Sequence, residues 1–260
     1  MDWHARSLWS ECVRRYFSRR NESIRRLTDT YVYDNTSAPG SENFGDYPYD
    51  NLDYSFINYQ EGIYVGYRFY ETYFADDEAG YQETVLYSYG YGLSYTDFDW
   101  NVVDQNFTDE TIEVQVEVTN TGDIAGKEVV QVYYSAPYIE DGVEKAAIEM
   151  GTFQKTSLLE PNESEVVTLA FDVDQMASYD MNDEQAYVLD QGTYEIKVAH
   201  NVHDIVESYD YTIDEKTVLQ EDKDTNTAYE NRFDLAAGEL TYLSRTDWEG
   251  TYPSDENITH

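Results

Sequence analysis

The chain has 260 residues, 41 % of them hydrophobic, enough for a core of ordinary size. Its formal net charge of -37 excludes nucleic acid and anionic membrane as partners, because each phosphate contact needs a Lys or Arg to displace a counterion. A single cysteine, Cys12, excludes an internal disulfide framework, no Cys/His spacing suggests zinc or another metal cofactor, and no apolar run reaches the roughly 18 residues of a membrane span.

Residues 1–26 hold seven of the 16 basic residues and three acids, whereas the chain from Leu27 onward is overwhelmingly acidic. Such a break in charge habit marks an atypical N-terminal segment. Either it lies outside the fold, or it is a basic helix with Trp9, Val13 and Phe17 on one face. No signal segment is legible at this start, and the compartment stays open.

Residues 27–105 carry fifteen of the 27 tyrosines, with Gly-punctuated turns and one candidate helix near 60–74. This is too little for a closed domain, and its aromatic surface implies a missing cover. Glu61 opens the stretch EGIYVGYRFYETY, whose mixture of carboxylate, arginine and tyrosines suits a sugar-handling site. The structural reading is the stronger one. Arg68 pairs with a carboxylate while Tyr64, Tyr67 and Tyr70 bury their rings and keep their hydroxyls bonded. In YGYGLSY, Gly90 and Gly92 turn the chain.

Period-2 alternation then takes over at 111–122, 128–137, 164–174, 192–200 and 207–214, with turn signals between. The fold class that follows is mainly β: a fibronectin type III/immunoglobulin-like β-sandwich at 106–214, preceded by an incomplete α/β remnant at 27–105 and followed by an acidic extension or linker at 215–260. Asp172, Asp174, Asp180 and Asp183 lack the Gly and Glu spacing of a calcium loop and read as a solvated acidic loop. His200 and His203 predict a surface pair rather than a metal site. Asn106 and Asn162 fit glycosylation sequons. Trp100, Tyr133, Tyr134 and Tyr138 could serve a carbohydrate- or protein-binding module if they face water, although strand aromatics are mostly core.

The blocks Arg26-Leu27-Thr28-Asp29-Thr30, NYQEGIYVGYRFYET (58–72), LYSYGYGLSYTDF (86–98) and VEVTNTGDIAGKEVVQVYYSAP (116–137) resemble, in order and spacing, the closing part of glycoside hydrolase family 3, the β-glucosidase family. FQKTSLLEPNESEVVTLAF (153–171) and YVLDQGTYEIKVAHNVHDI (187–205) are similar to its fibronectin type III-like domain. NRFDLAAGELTYLSRTDWEGTYP (231–253) resembles the connector that leads into a catalytic barrel in members with reversed domain order. The resemblance implies retaining hydrolysis of β-glucosides by two carboxylates. It implies that the nucleophile lies on the barrel and the acid/base upstream of residue 26, so that neither maps onto this sequence. The expectation is therefore a chain cut at both ends, with no catalytic residue, unknown substrate-binding residues and no cofactor. Its expected partner is a separately encoded barrel, or a glucoside or oligosaccharide.

Overall fold

The computed structural model describes residues 25–43, 47–48, 53, 55–57, 59–230 and 240–254. The basic helix considered around Trp9, Val13 and Phe17 lies outside the described residues, as does Cys12.

Seven antiparallel strands form two facing sheets. In one, β5 (Phe98–Phe107), β6 (Thr111–Asn120) and β9 (Ser164–Asp172) pair with β6 in the centre. In the other, β12 (Gly192–Asn201) and β7 (Val129–Ser135) lie inside, flanked by β13 (Asp204–Ile213) and β8 (Glu149–Lys155). Strand β6 shows the cause most simply. Ile112, Val114, Val116 and Val118 alternate with polar residues, and all four are fully buried. Their register sets Val114 opposite Leu169 and Val116 opposite Val167 of β9. From the other sheet Val130, Val132, Tyr134, Tyr194, Ile196 and Val198 close the core. Burying each such aliphatic side chain is worth about 1.5–3 kcal/mol.

Within the sandwich, two features differ from the sequence expectation. The boundary expected between residues 105 and 106 falls inside β5, whose Phe98, Trp100 and Val102 already pack against the sandwich core. Strand β8 was not foreseen, because Glu149–Lys155 has no apolar alternation.

Strand β7 is buried along almost its whole length, on both faces. Val130, Val132 and Tyr134 point into the sandwich, while Tyr133 joins Ile148, Ala199 and Val202 in a second cluster on the outer side. That outer side is covered by a tyrosine-rich lobe. The lobe holds the two-stranded pair β1 (Tyr31–Val32) and β4 (Val85–Tyr87), the short pair β2 (Tyr47–Pro48) and β3 (Ser55–Phe56), and helices α1 (Tyr67–Tyr73) and α2 (Glu78–Thr84). Helix α1 is shorter than the expected 60–74, because Gly66 at its N-cap has φ 58° and ends the helical path backwards. Asp77 caps α2 by accepting from the amide of Gly80 at 3.0 Å.

The segment after 214 is not a bare linker. Strand β10 (Ser178–Asp180) and β14 (Thr217–Leu219) flank β11 (Ala186–Leu189), and β15 (Glu221–Asp222) pairs with β16 (Thr227–Ala228). Further on, Leu243, Tyr252 and Trp248 of the short helix α3 (Trp248–Thr251) return to the lobe and pack with Tyr64, Phe69, Tyr70, Tyr81 and Val85. The aromatic surface of the lobe therefore finds part of its cover at the far end of the chain. Among the described residues no helix is long and apolar enough to cross a membrane.

Candidate functional site at the seam of sandwich and lobe

Of the polar groups singled out in the sequence, Arg68, Tyr64 and Tyr67 meet partners across the seam between the two bodies. Arg68 on α1 reaches Glu149 on β8 at 2.9 Å, and the Tyr67 hydroxyl accepts from the Met150 amide at 3.1 Å. Burial holds the Glu149 carboxyl above its usual range, with Arg68 pulling the other way. Tyr67 stacks near Tyr89, 4.5 Å between centroids, and meets Tyr133 edge-on at 6.5 Å. The Tyr70 hydroxyl lies 3.0 Å from Ser37 Oγ.

Glu144, in the loop between β7 and β8, is a second junction. It accepts from the hydroxyls of Tyr64 and Ser244 and from the amide of Arg245 at 3.2 Å, tying sandwich, lobe and tail through one carboxylate. Burial, then the bond to Glu144, pushes the Tyr64 phenol well up, so that it stays a donor. Arg245 lies 4.1 Å over the Tyr138 ring. The neighbouring Lys145, 1 % exposed at its side chain, pairs with Asp190. Sequence reasoning missed Glu144, since no local pattern marks it, and it read Ser244 and Arg245 only as part of the connector-like block 231–253, without these partners.

At the third junction, Gln131 of β7 donates to the carbonyls of His200 at 2.7 Å and Gly90 at 3.3 Å, and accepts from Tyr133 at 2.6 Å. Gly90 has φ 79°, and a Cβ there would stand 2.3 Å from Gln131 Oε1. Only glycine allows this turn and this approach. Gly92 serves by proximity, since a Cβ on it would meet the Arg25 carbonyl at 2.6 Å.

Beside these lies a groove of about 350 Å³ whose lining includes Arg26, Tyr91, Phe98, Glu128, His200 and Asn201. Its volume is at the low end for ligand pockets. Glu128 is already committed, to Arg26 and to the amide of Val129 at 2.6 Å. Burial lowers the pKa of His200, which sits 4.0 Å from Trp100.

Glu61 stands apart from these junctions. Its carboxylate lies against Gly40, 3.3 Å from where a Cβ would be, and burial raises its pKa. Arg68 turns to Glu149 and not to it.

The remaining candidates separate. Asp172 and Asp174 pair with Lys223 at 2.7 and 3.4 Å. Asp180 accepts from the amides of Asn182 and Asp183 at 3.1 and 3.0 Å, an Asx turn that shapes the loop. Among the described residues no group of three or more His, Cys, Asp or Glu could hold a metal ion. His200 and His203 are not the surface pair expected: the first faces Trp100, while the second stacks on Tyr81 at 4.1 Å. Tyr133 and Tyr134 are buried, Trp100 is half-buried and Tyr138 is engaged with Arg245, so these aromatics offer no open sugar platform. Asn106 and Asn162 are exposed, the latter at φ 66° in a turn.

Residues 128–202 match the family model described as a fibronectin type III-like domain. The chain is 35 % identical over 248 residues to β-glucosidase A of Butyrivibrio fibrisolvens, covering 87 % of this chain and 28 % of that protein. It is 36 % identical over 200 residues to a β-glucosidase of Ruminococcus albus, covering 75 % of this chain and 19 % of that protein. Among solved structures, β-glucosidase 3B from Thermotoga neapolitana superposes with a TM-score of 0.67 at 34 % identity, over 80 % of this chain and 27 % of that one. A β-glucosidase from Paenibacillus barengoltzii gives 0.69 at 37 %, over 81 % and 23 %. The chain thus spans well under a third of each relative. Sequence and fold together place it in glycoside hydrolase family 3, as the counterpart of a segment of those β-glucosidases that includes the fibronectin type III-like domain.

Proposed function

We propose that the chain is the accessory, non-catalytic portion of a family 3 glycoside hydrolase, β-glucosidase-like, whose parent reaction is hydrolysis of O-glycosyl bonds. One observation carries this: the seam residues are engaged in joining sandwich, lobe and tail. Arg68, Glu149, Glu144, Arg26 and Glu128 all have partners across it. Retaining hydrolysis needs two carboxyl groups about 5–5.5 Å apart, one of them holding a proton. A raised pKa at Glu61 supplies only half of that requirement, and burial alone raises any carboxyl.

The work left to such a portion is support. Its lobe presents Tyr31, Tyr33, Tyr87 and Leu93, each more than 40 % exposed, as a surface for the catalytic part of the enzyme. Domain limits of 27–97 for the lobe and 98–213 for the sandwich, with the tail folded back, fit this division. The purified chain incubated with an aryl β-glucoside is expected to release no more product than buffer. Turnover that disappears in a folded Glu61→Gln variant overturns the proposal.

The seam groove favours a second reading, a free-standing carbohydrate- or protein-binding module. Retention on insoluble glucans, lost when Asn201 is replaced by Ala, would support it, and a null across several glucans would count against it.

A further inference from the structure

We infer that His203 is a pH-set clasp: as a doubly protonated imidazolium it holds the β12–β13 turn of the sandwich to helices α1 and α2 of the lobe, and on losing a proton it lets α2 go. This goes beyond the accessory reading and does not depend on it.

The argument begins with hydrogen-bond valence. His203 Nδ1 lies 3.0 Å from Oε2 of Glu71 on α1, and Nε2 lies 3.2 Å from Oε2 of Glu78 on α2. An ionised carboxylate can only accept, so both ring nitrogens must donate, and only the imidazolium carries two N–H groups. The neutral ring would turn a lone pair toward one of the two carboxylates. The surroundings favour the cation further. The ring stacks on Tyr81 at 4.1 Å and 6°, a face that attracts positive charge. Tyr81 in turn donates to Oε1 of Glu71, so both oxygens of that carboxylate are committed.

The groups facing His203 are therefore Glu71 from α1 and Glu78 and Tyr81 from α2, with Asn201 in its own turn. Burial keeps the Tyr81 phenol protonated far above neutrality, and Gln82 first, then His203, keeps Glu78 below the usual carboxylate range. Asn201 Oδ1 accepts from the amides of His203 and Asp204 at 2.9 and 3.0 Å, which fixes the turn that presents the ring. The bond to Glu71 is the main cause that lifts His203 above the ordinary 6.5, against burial. With the folded value raised, the stabilisation is complete below the ordinary value and is lost as pH rises through the raised one.

Opening is local. Two other links between turn and lobe do not titrate in this range: the Val202 amide to the Tyr89 carbonyl at 3.1 Å, and Ser88 Oγ to Asn201 Oδ1 at 3.0 Å. They hold the chain beyond β4 in place while α2 loosens.

The test is a proton NMR titration of the full chain, with the His203 ring assigned through its contacts to the Tyr81 ring. Its midpoint is expected above 6.5, moving down in Glu71→Gln and less far in Glu78→Gln. Hydrogen exchange, corrected for intrinsic rate, is expected to show protection of residues 78–84 falling several-fold between pH 5.5 and 8.5 in the natural sequence. In His203→Gln that ratio is expected to approach one. A midpoint at or below 6.5, or equal ratios in the two proteins, overturns the inference.

Discussion

In the sandwich, Val114 meets Leu169 and Val116 meets Val167 across adjacent strands, and the pattern that buries them is written within ten residues. In the lobe, Tyr64 meets Trp248 at 4.9 Å, and Tyr73 meets the same indole at 5.4 Å, from the far end of the chain. The first core is mostly aliphatic and closed by strands of the sandwich itself. The second is aromatic, closed by a returning tail and by hydroxyls that need acceptors. An aliphatic core tolerates only apolar substitutes of similar volume, whereas the lobe tolerates little change in partners it does not itself encode.

The comparison can be broken first at its strongest point. Val116→Asp places a charge without a partner in the middle of the sandwich core, and complete loss of the cooperative unfolding transition is expected by circular dichroism. Retention of a native-like transition would mean that the sandwich core is not the dominant body. Next in size is Trp248→Ala. A fully buried Trp costs about 3–5 kcal/mol on truncation, and this partly buried one is expected to cost about 2–3. The loss should fall on the lobe: hydrogen exchange is expected to quicken at α1 and β4 while β6 and β12 keep their protection. Equal quickening in both would show that sandwich and lobe unfold as one unit. The smallest effect belongs to Glu144→Ala, which removes the acceptor of the Ser244 hydroxyl and leaves the buried Tyr64 hydroxyl only the Lys145 carbonyl at 3.4 Å, a loss of about 1–2 kcal/mol in unfolding free energy measured by denaturant titration. A double-mutant cycle with Tyr64→Phe should recover part of that loss, and strict additivity would deny the coupling.

What could be read from the sequence follows the same division. The strands β6, β9 and β12 were legible because their apolar residues alternate against polar ones, and the order of motifs carried the family. Strand β5 also alternates, at Phe98, Trp100 and Val102, yet its place beside tyrosine-rich sequence disguised it. The pairing of Arg68 with a carboxylate was legible in kind but not in partner. Glu149 was not foreseen, since nothing near β8 announces it. Glu144 bonds to residues 80 and 100 positions away, and His203 to carboxylates 132 and 125 positions away, distances at which no periodic signal survives. Such contacts are set by how two bodies dock, and a linear pattern encodes each body without the docking.

The doubly covered strand β7 has a practical outcome for anyone wishing to borrow the sandwich as a free-standing scaffold. Stripped of its companion, it would show water a greasy back, with Tyr133 and Ala199 laid bare beside Ile148 and Val202. Two such backs would seek each other. Harvesting the unit as a monomer would therefore call for repainting that side with hydrophilic side chains, beginning at Tyr133, before any graft is attempted.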